Sequence, residues 1–473
     1  MGGTSVLRRV SFHRLYKSRS SSKADDTKTV EDRAVTLDQQ QRPLQQIPAP
    51  DKQTVLLLHG ARQPYELTED YPVPALQNDS EALVKTQAIG LNPIDWKSPD
   101  FNFAIPELPY ISGRELAGEV VVSPRRSSRL KVGDKVLAIS TDYRDLRKAA
   151  YQQYAVSPDY NIVRLPPSLS VEEGSTLGVA FVAAALGLGV CLGLDFSTIL
   201  AGPDLYTLVR QLPPESLAAD IRQECLDNLR SHDRAQPNDW IAIWGGSSTS
   251  ANLTIQLARL AGLKTISIVD AAKHGARLSN HHAIRPDLLV DSHDPKRAIE
   301  IIRRNAGGRL RFAVDTRGRD SAVSLMHALD PNYKTDDPAT PASAATVLEK
   351  WKASDEDKKS EARTSPPSPP ATPHTESLSD LSPPSAHLVG LTGLPKQAPP
   401  DGVVFHTVPI KLFHEIPAVG QALVEWLETL LEQGLVTPPD IIDVEKGFSS
   451  INKGLDRMRR GEISGGKLVV RVD

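Results

Sequence analysis

One stretch of the chain joins a strand, a turn of small residues and a helix start. Trp240-Ile241-Ala242-Ile243-Trp244 runs directly into Gly245-Gly246-Ser247-Ser248-Thr249-Ser250-Ala251. Small side chains at such a turn let the backbone approach a pyrophosphate closely, and the helix N-terminus offers unpaired N–H groups and a partial positive charge. A glycine turn by itself also serves any β–α junction. Here the next strand ends in Asp270. A carboxylate roughly 20 residues beyond the turn can accept hydrogen bonds from an adenosine ribose. Turn and acid together point to a dinucleotide site. The carboxylate would repel a 2′-phosphate, so NAD(H) is slightly preferred. Lys273, His274 and Arg277 follow closely and keep NADP(H) open.

Metal chemistry is poorly supported. The chain has only two cysteines, Cys191 and Cys225, which excludes a four-cysteine zinc site. Both read as free thiols of a reducing compartment. The 12 histidines are scattered, and His274, His281 and His282 read as a surface helix, so no metal ligands are assigned. A formal charge of -3 gives no electrostatic reason to expect nucleic acid or an anionic membrane as partner.

These residues must be held by a larger framework, since a chain of 473 residues implies two or three domains. Residues 1–50 are polar and read as a disordered segment. From Val55–Leu58 to about Pro167 short apolar runs such as Ala82–Ala88, Gly118–Val122 and Lys135–Ile139 alternate with Gly, Pro and Asp turns, a β-rich pattern. From Asp239 strands alternate with helices: Trp240–Trp244, helix Ala251–Ala261, Thr265–Val269, Leu288–Val290, helix Asp294–Asn305, Leu310–Val314, Leu388–Leu391 and Val403–Thr407. That alternation predicts a six-stranded parallel sheet with crossover helices. The fold class is therefore α/β, a β-rich domain plus a doubly wound Rossmann domain. Two insertions interrupt it, a helical one at 197–237 and a segment at 331–385. The second holds ten of the 37 prolines and reads as disordered. A long amphipathic helix follows Pro417, and a strand, a helix and the strand Leu468–Val472 close the chain.

In this order of elements five motifs resemble the medium-chain dehydrogenase/reductase family, in its zinc-independent quinone and enoyl reductase-like branch. They are Asn92-Pro93-Ile94-Asp95, Gly113-Arg114-Glu115-Leu116-Ala117-Gly118-Glu119-Val120, Lys131–Val136, Gly245–Ala251 and Ser464–Val470. The resemblance covers roughly residues 52–473 apart from the insertions. It implies a GroES-like catalytic domain (51–180, completed by 409–473) around a Rossmann domain (181–408), with cofactor in the cleft. It further implies hydride transfer between nicotinamide and a carbonyl, enone or quinone-type small molecule, and dimerisation as in relatives. Zinc-dependent relatives carry a cysteine after the first motif and a histidine before the motif glutamate. Asn92–Lys97 and Arg114 stand there instead, and arginine does not ligate zinc, so a zinc-free site is expected. The resemblance also places Asp315, Thr316, Gly390 and Leu391 beside the nicotinamide.

For catalysis Asn92, Asp95 and Tyr143 are the candidates, with turn capping as the alternative for the first two and packing for the third. Enoyl thioester reductases of this branch carry a tyrosine just before Pro106–Pro109, where this chain has Phe101, Asn102 and Phe103. A catalytically silent dinucleotide-binding sensor or scaffold is accordingly the alternative function, with the Ser-Pro steps of 331–385 as its interaction segment. The segment 1–24 carries Arg8, Arg9, Arg14, Lys17, Arg19 and Lys23 and no acid. That fits either a mitochondrial transit peptide or a basic tail, so matrix and cytoplasm both stand. Ser175–Leu194 carries no charge and is long enough to span a bilayer. It lacks aromatic belts and basic flanks, and the resemblance makes it a buried segment entering the cofactor domain, so no integral span is expected.

Overall fold

The computed structural model describes residues 47–334 and 384–472. The basic N-terminal segment and most of the proline-rich insertion lie outside the described residues.

The first half of the chain is β-rich, with β1 (Lys52–Leu58), β2 (Glu66–Pro72), β3 (Glu81–Gly90), β4 (Tyr110–Ile111), β5 (Glu115–Val122), β6 (Lys135–Ile139), β7 (Tyr154–Pro158) and β8 (Ile162–Arg164). Then come the cofactor-type strands β9 (Trp240–Trp244), β10 (Lys264–Val269), β11 (Leu288–Asp291), β12 (Leu310–Asp315), β13 (Ala386–Gly390) and β14 (Val403–His406). The chain ends with β15 (Ile441–Lys446) and β16 (Lys467–Arg471). β2, β1 and β4 form one sheet, while β15-β16-β3-β5-β6-β8, with β7 also beside β3, form a second. The last strand thus pairs antiparallel with β3, joining the two ends of the chain.

The third sheet has the order β11-β10-β9-β12-β13-β14, and all its pairs are parallel. This is the doubly wound arrangement whose order reverses beside the first strand, leaving a crevice at the carboxyl ends. Both faces are covered by helices, which explains why β9 reads as an unbroken apolar run rather than an alternation. Its crossover helices start on side-chain caps. Ser248, Asp270 and Asp294 each accept the N–H of the third residue beyond them.

The apolar segment 171–191 is long and apolar enough to pass for a membrane span by length and composition, but 89% of that window is buried inside the molecule. Its helix Gly178–Leu186 packs among Leu137, Ile139 and Val163 of the β-rich part and Leu253 and Leu257 of the cofactor part. Phe181 also meets Trp426 of helix Pro417–Glu432, with ring centroids 5.8 Å apart. It is apolar all round because neighbours surround it. The 197–237 insertion folds into helices Leu205–Arg210 and Ala219–Leu226, whose Leu205, Val209, Ile221 and Cys225 join the same core.

Candidate active site

At the carboxyl ends of β9, β10 and β12 lies a cleft of about 780 Å³, whose opposite wall comes from Leu91, Pro93, Trp96, Lys97 and residues 463–468. The Gly/Ser turn forms its floor. The N–H groups of Gly245 and Gly246 donate to the Ile268 carbonyl at 3.1 and 3.2 Å, tying the turn to β10. Gly245 has a positive φ in the left-handed region, and a Cβ on Gly246 would overlap Ser267 Oγ. Larger residues therefore cannot make this turn. Thr316 Oγ1 accepts from Ser248 Oγ at 2.9 Å and itself faces the carbonyls of Trp244 and Gly245 at 3.0 Å. The turn is therefore held from both neighbouring strands. The helix that follows begins at Thr249. Its first N–H groups have no acceptor within the helix, and Ser248 Oγ takes only that of Ala251, at 3.1 Å.

Asp270 lines the same cleft at the end of β10. One carboxylate oxygen caps the next helix by accepting from Lys273 N–H at 3.0 Å. The other lies 3.7 Å from His293 Nε2. His293 is bonded in turn to Asp291 at 3.1 Å. That hydrogen bond, with the charges of Asp291 and Asp270, raises the His293 pKa. Asp291 is lowered, first by accepting the Ala271 N–H and then by His293. Lys273 and His274 also face the cleft. His274 reaches Ser464 Oγ at 2.9 Å, and burial followed by the charges of Arg277 and Lys273 lowers its pKa.

Beneath the opposite wall is a buried polar trio. Lys467 Nζ donates to Asn92 Oδ1 at 2.8 Å and pairs closely with Glu115. Glu115 also accepts from Asn92 Nδ2 at 2.9 Å and from Val179 N–H at 2.9 Å. One carboxylate thereby links β5, the loop after β3, the last strand and the helix entering the cofactor part.

Asp95 is fully buried and accepts the Asn92 N–H at 2.8 Å at the start of helix Pro93–Phe101. Burial pushes its pKa up to about 6, against the pull of that N–H and of Arg114. Its carboxyl thus supports the wall from behind rather than facing the cleft. Tyr65 and Tyr151, their rings 5.4 Å apart and edge to face, pack around it. Burial first, and then the Asp95 charge, raises Tyr151 well above the usual tyrosine range.

The cleft brings together Gly245, Ser247, Ser248, Thr249, Asp270, Lys273 and Thr316. Gly246 and Ala251 are packing positions, the former against β10 and the latter in the core beneath the helix. Ser250 lies in the first helical turn, where its carbonyl accepts from Thr254. Asp315 is buried, and its Oδ1 accepts from Arg317 and Gly318 N–H at 3.0 and 2.7 Å, shaping the loop that carries Thr316. Gly390 and Leu391 follow one strand further on, where the Leu391 N–H donates to the Asp315 carbonyl at 2.9 Å. Tyr143 is half-buried, with the Arg114 and Arg144 guanidinium carbons 5.7 and 5.9 Å from its ring centroid. Phe101 and Phe103 are exposed. Sequence reasoning missed Trp96, Lys97, Ser292, His293 and Arg317 as cleft residues. The positions of Trp96 and Lys97 directly after Asn92–Asp95, and of Arg317 directly after Asp315–Thr316, could have flagged three of them.

A β-rich part made from both chain ends thus stands beside a six-stranded parallel sheet with its cleft at the carboxyl edge. The alcohol dehydrogenase GroES-like domain family matches residues 78–167. A trans-enoyl reductase, caaB, of Aspergillus niger is 28% identical, covering 89% of this chain and 98% of that protein. Among solved structures, an alcohol dehydrogenase superfamily protein from Novosphingobium aromaticivorans superposes with a TM-score of 0.60 at 16% identity, over 89% of this chain and 100% of that one. A quinone oxidoreductase from Pseudomonas syringae pv. tomato gives 0.55 at 17%, over 89% and 99%. The chain carries an alcohol dehydrogenase GroES-like domain and is similar, in sequence and in fold, to the enoyl and quinone reductase-like branch of the medium-chain dehydrogenase/reductase superfamily. The neighbours of this fold imply a nicotinamide dinucleotide. The glycine turn, the first-turn N–H groups and Asp270 of the cleft fit that group in charge and in space.

Proposed function

We propose that this protein reduces an activated alkene, quinone or carbonyl compound without a catalytic metal, with NAD(H) slightly preferred over NADP(H). The observation that carries the reading is the junction of two features at one cleft: the Gly/Ser turn with Asp270 on one side, and on the other Lys467, held from beneath the wall by Asn92 and Glu115. When bound, the nicotinamide supplies the hydride. Thr249, Ser250 and the helix start would hold the pyrophosphate, and Asp270 the adenosine ribose.

Metal independence is supported by charge. Asn92 commits both side-chain polar atoms to Lys467 and Glu115, and a cation beside the Lys467 ammonium would be repelled. Arg114 adds a second fixed positive charge. Charge developing on a substrate oxygen must then be met by hydrogen-bond donors. We assign Tyr143, flanked by Arg114 and Arg144 but outside the residues that line the cleft, as the donor to substrate, a role that requires it to reach the cleft when substrate binds. Asn92 and Asp95 act as positioning residues, the first holding Lys467 and the second the helix that carries Trp96 and Lys97.

The test is consumption of NADH and NADPH, followed by their near-ultraviolet absorbance, across enones, quinones, aldehydes and 2-enoyl thioesters, with and without chelator. Turnover of at least one class, unchanged by chelator, is expected. Cofactor binding without consumption of any panel member would instead mean a silent binding protein.

A further inference from the structure

Outside the cleft lining, three residues far apart in the chain converge where the 197–237 insertion meets the edge of the cofactor sheet. Cys191 ends the π-helical turn Gly187–Cys191, Glu224 sits on helix Ala219–Leu226, and His406 is the last residue of β14. Their ligand atoms all lie within 4.8 Å of one another, and His406 Nδ1 is 2.7 Å from Glu224 Oε1. We propose that Cys191, Glu224 and His406 bind a zinc-class divalent cation that staples the insertion to the cofactor sheet.

The donor set argues for the class of cation. A thiolate, an imidazole and a carboxylate suit zinc, whereas magnesium and calcium take oxygen donors. Three protein ligands leave a fourth position for water. Inside the fold Cys191 and His406 are buried and the Glu224 side chain is 10% exposed, so the ligands are already arranged and largely dehydrated.

The surroundings have the form that orients a metal-bound imidazole. His406 Nε2 lies 2.9 Å from His387 Nδ1, so it can donate there while Nδ1 keeps its lone pair for a metal. His387 Nε2 then points toward Asp233, 3.9 Å away. Asp233 is fixed by Arg230 at 2.8 Å and Arg311 at 3.2 Å. Glu224 is steadied by Asn228 Nδ2 at 2.8 Å.

Binding releases the Cys191 thiol proton to solvent and shifts the His406 proton from Nδ1, where it bridges to Glu224 Oε1 at 2.7 Å, to Nε2, where it donates to His387, so that Glu224 and His406 coordinate through lone pairs. Affinity should therefore fall as pH is lowered.

The experiment uses full-length protein isolated without chelator or metal-affinity resin. Elemental analysis should find about one zinc per chain. Replacement by cobalt(II) should produce a thiolate-to-cobalt absorption band in the near ultraviolet, abolished in Cys191→Ser and weakened in His406→Gln. Because Cys191→Ser could unfold the core, wild type provides an independent arm. Chelator should lower its melting midpoint by several degrees and added zinc should restore it. Substoichiometric zinc with no cobalt band in folded wild type overturns the proposal. A cobalt band that survives in Cys191→Ser does so as well.

Discussion

Replacing Asp270 by serine should move cofactor preference from NADH toward NADPH. Serine retains the helix cap, because its hydroxyl can still accept the Lys273 N–H. Serine and aspartate rank alike as caps, so folding stability should stay close to that of wild type. Two effects on binding add. Losing charge-assisted hydrogen bonds to the ribose hydroxyls costs NADH about 1.5–3 kcal/mol, roughly 10- to 100-fold in Kd. Removing a negative charge about 5 Å from a 2′-phosphate relieves about 1–3 kcal/mol between effective dielectric constants of roughly 80 and 20. The Asp270 side chain is partly exposed, so solvent screening selects the lower end, about 1 kcal/mol or roughly fivefold in favour of NADPH. Lys273 and His274, already in the cleft, remain to face the phosphate. The NADH-to-NADPH affinity ratio should thus shift by about 50-fold or more. Parallel isothermal titrations of wild type and variant at one ionic strength measure it directly. A shift below about threefold would refute the placement of the adenosine ribose at Asp270.

Other consequences follow from buried groups. Lys467→Met leaves Glu115 buried without its cation and should cost about 3–5 kcal/mol in urea unfolding, with Lys467→Met/Glu115→Gln recovering much of the loss. A single-variant cost under about 1 kcal/mol would contradict the buried pair. Asp95, raised by burial to about 6, favours folding when protonated. Its contribution is therefore full below pH about 4 and is lost as pH rises through about 6. Relative to Asp95→Asn, wild type should lose about 2–3 kcal/mol of stability between pH 4 and pH 7.5, and parallel stability curves would argue against the assignment. Gly246→Ala should weaken cofactor binding at least tenfold by overlap with Ser267 Oγ, and adding Ser267→Ala should restore part of it. No rescue by the second change would mean the turn fails for another reason. Tyr143→Phe should lower kcat with little change in cofactor Kd, whereas an equal loss in both would show a packing role.

Much of the cofactor half was legible in the amino-acid order. β9 and β6 occupy the segments their apolar runs mark out, and Asp270 and Asp294 stand at helix starts as their residue types suggest. These signals are local: side-chain period, turn chemistry and capping all act over a few residues. β2 was not legible, because Glu66–Pro72 is mostly exposed and polar and is a strand only through pairing with β1. The uncharged segment 175–194 is long enough for a membrane span, its missing aromatic belts and basic flanks weigh against one, and its neighbours make it a core helix.

The site divides along the same line. The sequence determined the Gly/Ser turn and put Asp270 at the end of the next strand, since both lie within one βαβ unit where chain direction and spacing are dictated by the backbone. Only the tertiary structure brought Lys467 to Asn92, 375 residues away, or Cys191 and Glu224 to His406. It also moved the Asp95 carboxyl behind the wall and made Trp96 and Lys97 part of it. Such meetings leave no periodic trace in the chain. They arise because a buried charge must find a partner wherever packing places one, and that place is set by how the sheets close rather than by distance along the sequence.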